Sequence, residues 1–457
     1  MTLGFGLSPS KNEMGQPDKV SVTANNDGKT QPLNSAEREW KGIIYQKLLK
    51  VIDLTEIPKA RSQEVEKNIR ELCDGLLSEQ RVPLTTVSKQ RVISSIVDEV
   101  LGLGPIDLLM SDKSITDILV NGYSDVYIER RGKLERTDVV FDNDTHLMNI
   151  IDRIVNAVGR RVDESSPMVD ARLEDGSRVN VIIPPLAIDG PVLSIRRFGS
   201  DELGVRELVE LGTLTEDLVT VLEAVVKARL NLVVSGGTGS GKTTLLNLLS
   251  GFIPENERII TIEDSAELKL RQPHVVRLET RTPNLEGQGA ITQRDLVRNS
   301  LRMRPDRIVL GEVRGGEALD MLQAMNTGHD GSLTTIHANS PRDALVRIEN
   351  LVSMSGVSFP IPALRRQITA AIQLIIHIER MLDGHRRVVS VVEVNDMEGE
   401  VITLSEIFSF TRQGVDEAGR VIGSLHSTGI VPNFVKRMVE RGIDLPMQVF
   451  RLSQHSH

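Results

Sequence analysis

The chain has 457 residues with 40% hydrophobic and 26% charged, enough for about three globular domains with sizeable cores, and its net charge of −9 excludes a nucleic-acid coat though not a local basic patch. A single cysteine, Cys73, excludes an internal disulfide and a four-cysteine zinc site, and fits a reducing compartment. No apolar run approaches the ~18–20 residues that span a bilayer, and the start lacks the apolar stretch of a signal peptide. The expected location is cytosolic, with docking on a membrane protein left open.

Residues 1–35 are rich in Asn, Gly, Ser, Pro, Lys and Asp and read as a disordered tail. Over 36–104 apolar residues recur at spacings near three and four: Trp40, Ile43, Ile44, Leu48, Leu49 and Ile52, then Val65, Ile69, Leu72, Leu76 and Leu77, then Val92, Ile93, Ile96, Val97, Val100 and Leu101. The spacing predicts three amphipathic helices in a small bundle with Trp40 in its core. A stripe alone does not separate packing from a partner-binding face. Beyond Ser111 the period becomes two. Strands are predicted at 115–120, 126–129 and 139–141, with turns at Asn121-Gly122 and Arg131-Gly132. A helix carrying Met148, Ile151, Ile154, Val155 and Val158 follows, then strands at 168–173, 177–183 and 192–197. Together these make a smaller α/β domain over 105–200, joined by a linker at 201–212 to a domain over 213–457.

That last domain is predicted to be α/β with a mostly parallel sheet. A helix at 216–229 leads to an apolar strand ending at Ser235. Next come Gly236, Gly237, Thr238, Gly239, Ser240, Gly241, Lys242 and Thr243, and then Thr244 and an apolar helix. Gly, four residues, Gly, Lys and Ser/Thr between strand and helix is the pattern of a phosphate-binding loop. Backbone N–H groups can converge on an anion only where side chains are missing, and the helix adds its positive end. Lys242 is expected to reach the β/γ-phosphates of a nucleoside triphosphate, and Thr243 to ligate Mg²⁺. Strands at 258–264, near 275–278, at 307–312 and at 332–337 then alternate with helices at 293–303, 317–325 and 342–351. Such alternation puts a ligand at the carboxyl ends of the strands. A helix at 361–372, strands at 374–378 and 388–394, and a helical extension end the chain.

Several side chains fit that chemistry. Glu312 ends an apolar strand, where an acid can polarise the attacking water or support the Mg²⁺ shell. Glu263, Asp264 and Glu267 cluster at another strand end, where acids hold Mg²⁺ through its waters. His329 and His337 flank a strand and are candidates to sense the γ-phosphate. Arg294, Arg298 and Arg302 share one helical face, read equally as a subunit or phosphate contact and as a solvated, salt-bridged surface. Arg178, Arg196 and Arg197 lie on predicted strands of the earlier domain, from which a guanidinium can reach a γ-phosphate across a boundary.

From about Leu101 to Leu445 the chain resembles the secretion ATPase superfamily of type II and type IV systems. Within it the chain is most similar to the CpaF/TadA group of tight-adherence (Tad/Flp) pili. The resemblance rests on Ile118-Leu119-Val120-Asn121-Gly122, Asp175-Gly176-Ser177-Arg178-Val179-Asn180, Ser194-Ile195-Arg196-Arg197-Phe198, the phosphate loop and Ile260-Thr261-Ile262-Glu263-Asp264. It continues in Arg298-Asn299-Ser300-Leu301-Arg302-Met303-Arg304-Pro305-Asp306, Gly311-Glu312-Val313-Arg314-Gly315-Gly316-Glu317-Ala318 and the stretch holding both histidines. It implies a RecA-like ATPase domain preceded by a smaller, PAS-like α/β domain. It also implies an acidic box at Glu263, Asp264 and Glu267, a catalytic acid at Glu312, a histidine box at His329 and His337, and arginines at Arg178, Arg196 and Arg197 facing the nucleotide. The implied assembly is a homo-hexamer that hydrolyses ATP with Mg²⁺ and drives pilus assembly or retraction through an inner-membrane platform protein. The absence of a four-cysteine zinc insertion favours this group.

Alternatives are a conjugation-type translocation ATPase and, from a different class, a nucleic-acid motor. The acidic charge and lack of basic-aromatic stretches oppose the latter, and no nucleic acid is expected as partner. A GTPase switch lacks its Asn-Lys-x-Asp stretch, and a non-hydrolysing scaffold does not need Lys242, Thr243 and Glu312 together.

Overall fold

The computed structural model describes residues 33–51, 63–80, 82–130, 132–197, 203–281, 283 and 288–452. Almost all of the expected tail lies outside the described residues. The chain divides into two compact units, Met1–Ser200 and Asp201–His457.

In the first unit α1 (Ser35–Val51), α2 (Gln63–Glu79) and α3 (Thr86–Leu101) share an apolar core. That core contains Ile44, Leu48, Ile69, Leu77, Val92 and Ile96, with Trp40 packed against it. The helix α3 begins where the Thr85 hydroxyl accepts the Ser88 N–H, satisfying a donor that the first turn leaves open. A short helix α4 (Asp107–Ser111) leads to β1 (Ile115–Asn121), β2 (Val126–Arg130), β3 (Lys133–Arg136), α5 (Asp144–Ala157), β4 (Met168–Arg172), β5 (Arg178–Ile182) and β6 (Val192–Arg196). The sheet is antiparallel throughout, in the order β3-β2-β1-β6-β5-β4. Alternate residues such as Ile118, Ile128, Val179 and Ile195 meet Leu147, Ile150 and Ile154 of α5. The third strand differs from expectation: it is Lys133–Arg136, not 139–141. Arg130 pairs with Lys133, so pairing with β2 resumes before 139–141 is reached. Phe141 instead enters the core beside α5.

The second unit contains α6 (Val205–Glu210), α7 (Glu216–Lys227), β7 (Leu232–Gly236), α8 (Lys242–Gly251), β8 (Ile259–Glu263), β9 (Val275–Glu279), α9 (Gln293–Ser300) and β10 (Arg307–Val313). It continues with α10 (Glu317–Asn326), β11 (Leu333–His337), α11 (Pro341–Ser353), α12 (Ile361–Ala371), β12 (Leu374–Arg380), β13 (Arg386–Glu398), β14 (Val401–Val415), β15 (Val421–Ser427) and α13 (Phe434–Glu440). One sheet orders them β15-β14-β13-β12-β7-β11-β10-β8-β9. From β12 to β9 all neighbours are parallel. The strands β7 and β8 are buried at every position, because helices cover both faces. In β7, Leu232 and Val234 face one apolar layer while Val233 faces the other.

Two expectations change here. The segment expected as a linker carries α6, whose Leu208 is buried in this unit's core. Beyond the expected strand, which is β13, the expected helical extension is mainly antiparallel sheet, β14 and β15, followed by the seven-residue α13. The apolar alternation of β14 is diluted by half-buried polar residues such as Thr403, Ser405 and Glu406.

Candidate functional site

Parallel strands align their carboxyl ends. Register pairs Gly236 with His337, Leu310 with Ile262, and Leu310 with Thr334. The phosphate loop, His337, Gly311-Glu312 and Glu263-Asp264 therefore lie along one edge of the sheet.

The loop is shaped by its glycines. A Cβ at Gly236 would lie 2.3 Å from the Ile378 carbonyl oxygen and 2.6 Å from Ser240 Oγ. Gly241, at φ 98°, adopts a backbone that side chains disfavour and caps α8. Gly237 is half-buried and Thr238 and Gly239 are exposed, while Thr243 and Thr244 are half-buried in the first turn of α8. Lys242 Nζ donates to the carbonyls of Gly236 (3.0 Å) and Gly237 (2.8 Å), across the hollow of the loop. Ser240 Oγ is buried without a hydrogen-bond partner among the described residues. A cradle too tight for Cβ atoms, a lysine folded across it and an orphaned hydroxyl suit a phosphate ligand.

On the neighbouring strands the acids divide. Glu263 is only 3% exposed. Its Oε2 accepts the N–H groups of Glu267 (2.7 Å) and Leu268 (2.9 Å), and its Oε1 has no partner among the described residues. Burial pushes the Glu263 carboxyl above the usual glutamate range, against the pull of those two N–H bonds. An orphaned carboxylate oxygen at the loop's edge of the sheet fits a hydrated divalent cation. Asp264 next to it is exposed. Glu312 is paired with Arg314 at 2.7 Å, and Arg314 also approaches Asp264 at 3.6 Å. A bulge places Glu312: Leu310 to Val313 on β10 spans only Thr334 to Ile336 on β11. Thr335 Oγ1 holds the bulge through the Gly311 carbonyl at 2.7 Å, and a Cβ at Gly311 would come within 2.9 Å of Glu263 Cγ.

The two histidines part company. His337 is exposed beside the phosphate loop. His329 precedes β11, at the amino edge of the sheet, where its carbonyl accepts Ser332 Oγ at 2.8 Å. Four strand steps alone separate the two ends by about 13 Å. Within this unit His329 therefore lies at the edge of the sheet opposite the phosphate loop. The helix face of Arg294 and Arg298 also has an internal partner: both donate to Asp320 at 2.8 Å, and Arg294 donates to the Ser355 carbonyl as well.

In the first unit, register aligns Arg172, Arg178, Arg196 and Asp117 on one face of the sheet. Arg196 is half exposed and pairs with Asp117 at 3.2 Å. Arg197 points to the other side, where its guanidinium binds the carbonyls of Asp112 and Ile115. It ties down the turn before β1, which removes it from the exposed arginine row.

Three residues near the loop escaped the sequence reading. His377 is buried on β12 with Nδ1 2.9 Å from Ser235 Oγ, and burial lowers its pKa. Arg380 and Arg386 face each other across the β12–β13 hairpin, and Arg386 Nε donates to the Gly239 carbonyl at 2.9 Å. A strand, Asp383-Gly384 and a second strand carried the signal for this hairpin.

A parallel sheet with a glycine-rich loop between its β7 and α8 defines a phosphate-loop α/β protein. The chain belongs to the type II/IV secretion system protein family, whose profile matches residues 99–424. It is similar to a Mycobacterium tuberculosis protein provisionally named a conjugal transfer protein, 38% identical over 309 residues, covering 66% of this chain and 87% of that one. It is also similar to the type IV secretion system protein VirB11 of Bartonella quintana, 32% identical over 293 residues, covering 55% of this chain and 80% of that one. Among solved structures it matches the VirB11 ATPase of the Brucella suis type IV secretion system, in complex with sulphate. That match has 29% identity and a TM-score of 0.36, and covers 63% of this chain and 92% of that chain. No helix among the described residues is long and apolar enough to cross a membrane.

Proposed function

We propose that this chain is an ATP-hydrolysing motor of a type IV secretion or pilus machine. The observation that carries the reading is the Lys242 loop lying at the same carboxyl edge of the sheet as the strand-end carboxylates Glu263 and Glu312. The backbone from Gly236 to Thr244 wraps the phosphates, and Lys242 leaves its carbonyl partners for them. Mg²⁺, held by Thr243 with Glu263 and Asp264 partly through water, would neutralise charge on the phosphates. Glu312 is the base for the attacking water once Arg314 releases it, and His337 stands beside the loop. Arg178 and Arg196 are the first unit's candidates for the γ-phosphate. The acting form is a homo-hexamer docked through a platform protein at the cytoplasmic face of the inner membrane, with no nucleic-acid substrate. Its cargo is the Tad pilus, supported by the motifs and the missing zinc insertion. A conjugation-type role is the second reading, favoured by the names of the relatives.

Steady-state ATPase assays with size analysis test this. Lys242→Ala is expected to lose nucleotide binding. Glu312→Gln is expected to bind nucleotide but lose turnover by about 10²-fold or more. Unchanged turnover in both would remove the site assignment. In a host lacking the gene, lost surface pili with intact DNA transfer supports the pilus reading, and the reverse supports conjugation.

A further inference from the structure

The phosphate loop is touched from outside by a hairpin that the proposed reaction does not use. The last pair of that hairpin, Arg380 and Arg386, precedes a turn closed by Met381 N–H on the His385 carbonyl at 2.7 Å. Paired residues project to the same side of an antiparallel ladder, here toward the loop. An added Cβ at Gly241 would lie 3.2 Å from Arg386 Cδ, and one at Gly239 would lie 3.5 Å from Arg380 Nη1. Arg386 thus lies along the loop backbone and donates from Nε to the Gly239 carbonyl at 2.9 Å.

That bond has a consequence inside the loop. In a trans peptide the carbonyl of one residue and the N–H of the next point in opposite directions. Holding the Gly239 carbonyl outward therefore turns the Ser240 N–H inward. There it makes a long 3.4 Å bond to the Gly237 carbonyl, the same oxygen that Lys242 Nζ binds at 2.8 Å. The loop is closed on itself by one long bond and one lysine ammonium, donors that an anion can claim, with the peptide already aimed.

Arg386 is in turn held by its own main chain. Thr213 Oγ1 donates to the Arg386 carbonyl at 2.8 Å, and the Val388 N–H donates to the Thr213 carbonyl at 3.1 Å. On the opposite face of the hairpin, Arg387 donates to the Val421 carbonyl at 2.9 Å and lies 5.4 Å from the Phe410 ring centroid, while the Asp383 carboxylate accepts the Val421 N–H at 2.8 Å. The hairpin is braced by Thr213 and by β14 and β15 before it meets the loop.

Building on the nucleotide-site reading above, we propose that Arg386 is a positioning residue: it presets the Gly239–Ser240 peptide so that the Ser240 N–H faces the phosphates. It acts through the backbone, not on the reacting atoms. Its loss weakens nucleotide capture and leaves the chemical step alone.

The test measures affinity for a non-hydrolysable ATP analogue with Mg²⁺, and KM and kcat for ATP. The proteins are the full chain as wild type, Arg386→Ala, Arg386→Lys, Thr213→Val and Lys242→Ala. Arg386→Ala is expected to raise Kd and KM about tenfold, the scale of one charge-assisted hydrogen bond, with kcat within about twofold. Arg386→Lys keeps the stem and charge and is expected to recover part of the loss. Thr213→Val shifts Kd in the same direction by less. Melting without nucleotide shows whether each variant folds; if Arg386→Ala does not, the Lys and Thr213 variants decide. Wild-type Kd in the Arg386 variants, beside lost binding in Lys242→Ala, overturns the positioning role alone. A fall in kcat at unchanged Kd overturns it too. Retained binding in Lys242→Ala overturns the nucleotide site itself.

Discussion

The two edges of the parallel sheet in the second unit finish their buried polar groups differently. At the amino edge, Asn231 is almost fully buried and all its groups are paired. Its Oδ1 accepts Gly331 N–H (2.8 Å) and Ser332 N–H (3.0 Å), Nδ2 donates to Ala371, and its N–H donates to Gln373 Oε1. Arg307, fully buried, donates to Glu257 through Nε (2.6 Å) and Nη2 (3.2 Å), and through Nη1 to the Val226 and Gly331 carbonyls. His329 Nδ1 is the exception there. At the carboxyl edge, Ser240 Oγ and Glu263 Oε1 are buried without partners among the described residues. Buried polar groups are costly unless bonded, so a closed network marks structure and open valences mark a place for a ligand.

The largest effect that tests this contrast is expected at the closed edge. Arg307→Ala strips buried Glu257 of its bidentate partner, leaving Arg229 at 3.0 Å, and uncaps the Val226 and Gly331 carbonyls; it is expected to cost about 3 kcal/mol in denaturant unfolding. A loss under about 1 kcal/mol would mean the network is not structural. At the open edge the sign reverses. Because burial raises the Glu263 pKa, folding favours the protonated carboxyl; that contribution holds below the unfolded value and is lost as pH climbs through the raised one. Glu263→Gln is thus expected to stabilise the ligand-free protein by about 0.5–2 kcal/mol at about pH 7–8 while reducing turnover. The gain should vanish below the ordinary glutamate value of 4.5. A destabilised variant at neutral pH would contradict the placement of Oε1 as an open valence. The smallest effect concerns His329, which lies away from the loop. Its alanine variant is expected to keep nucleotide affinity within about twofold by titration, and a tenfold loss would give the amino edge a part in binding.

Local pattern carried much of this organisation. The phosphate loop was legible because four glycines, a lysine and a threonine are contiguous and follow an apolar strand. Glu263 and Glu312 were legible because each ends a buried strand. Features that depend on which strands become neighbours were not. His329 and His337 flank a strand in the sequence, but which of them lies at the phosphate-loop edge depends on the pairing of β11 with β7. Arg386 reaches Gly239 because β12 pairs with β7, a juxtaposition of residues 147 apart in the chain. Arg197 matched the same basic stretch as Arg196, but alternation turns adjacent strand residues to opposite sides. The strands β14 and β15 were obscured by half-buried polar residues that break their apolar alternation.

The bulge at Gly311-Glu312 also fixes a reading frame for β10. Ile308 and Leu310 face one apolar layer and Val309 the other, in strict alternation. Continued alternation would carry Glu312 into the layer of Leu310 and Val313 into that of Val309. Instead Val313 joins Leu310's layer, so the parity changes within those two residues and the carboxylate is released from it. Removing Gly311 would straighten the strand and turn Glu312 toward the layer of Val309. The acid's place is therefore set by the count of residues as much as by their identity, and β10 is intolerant of a change in length at its tip.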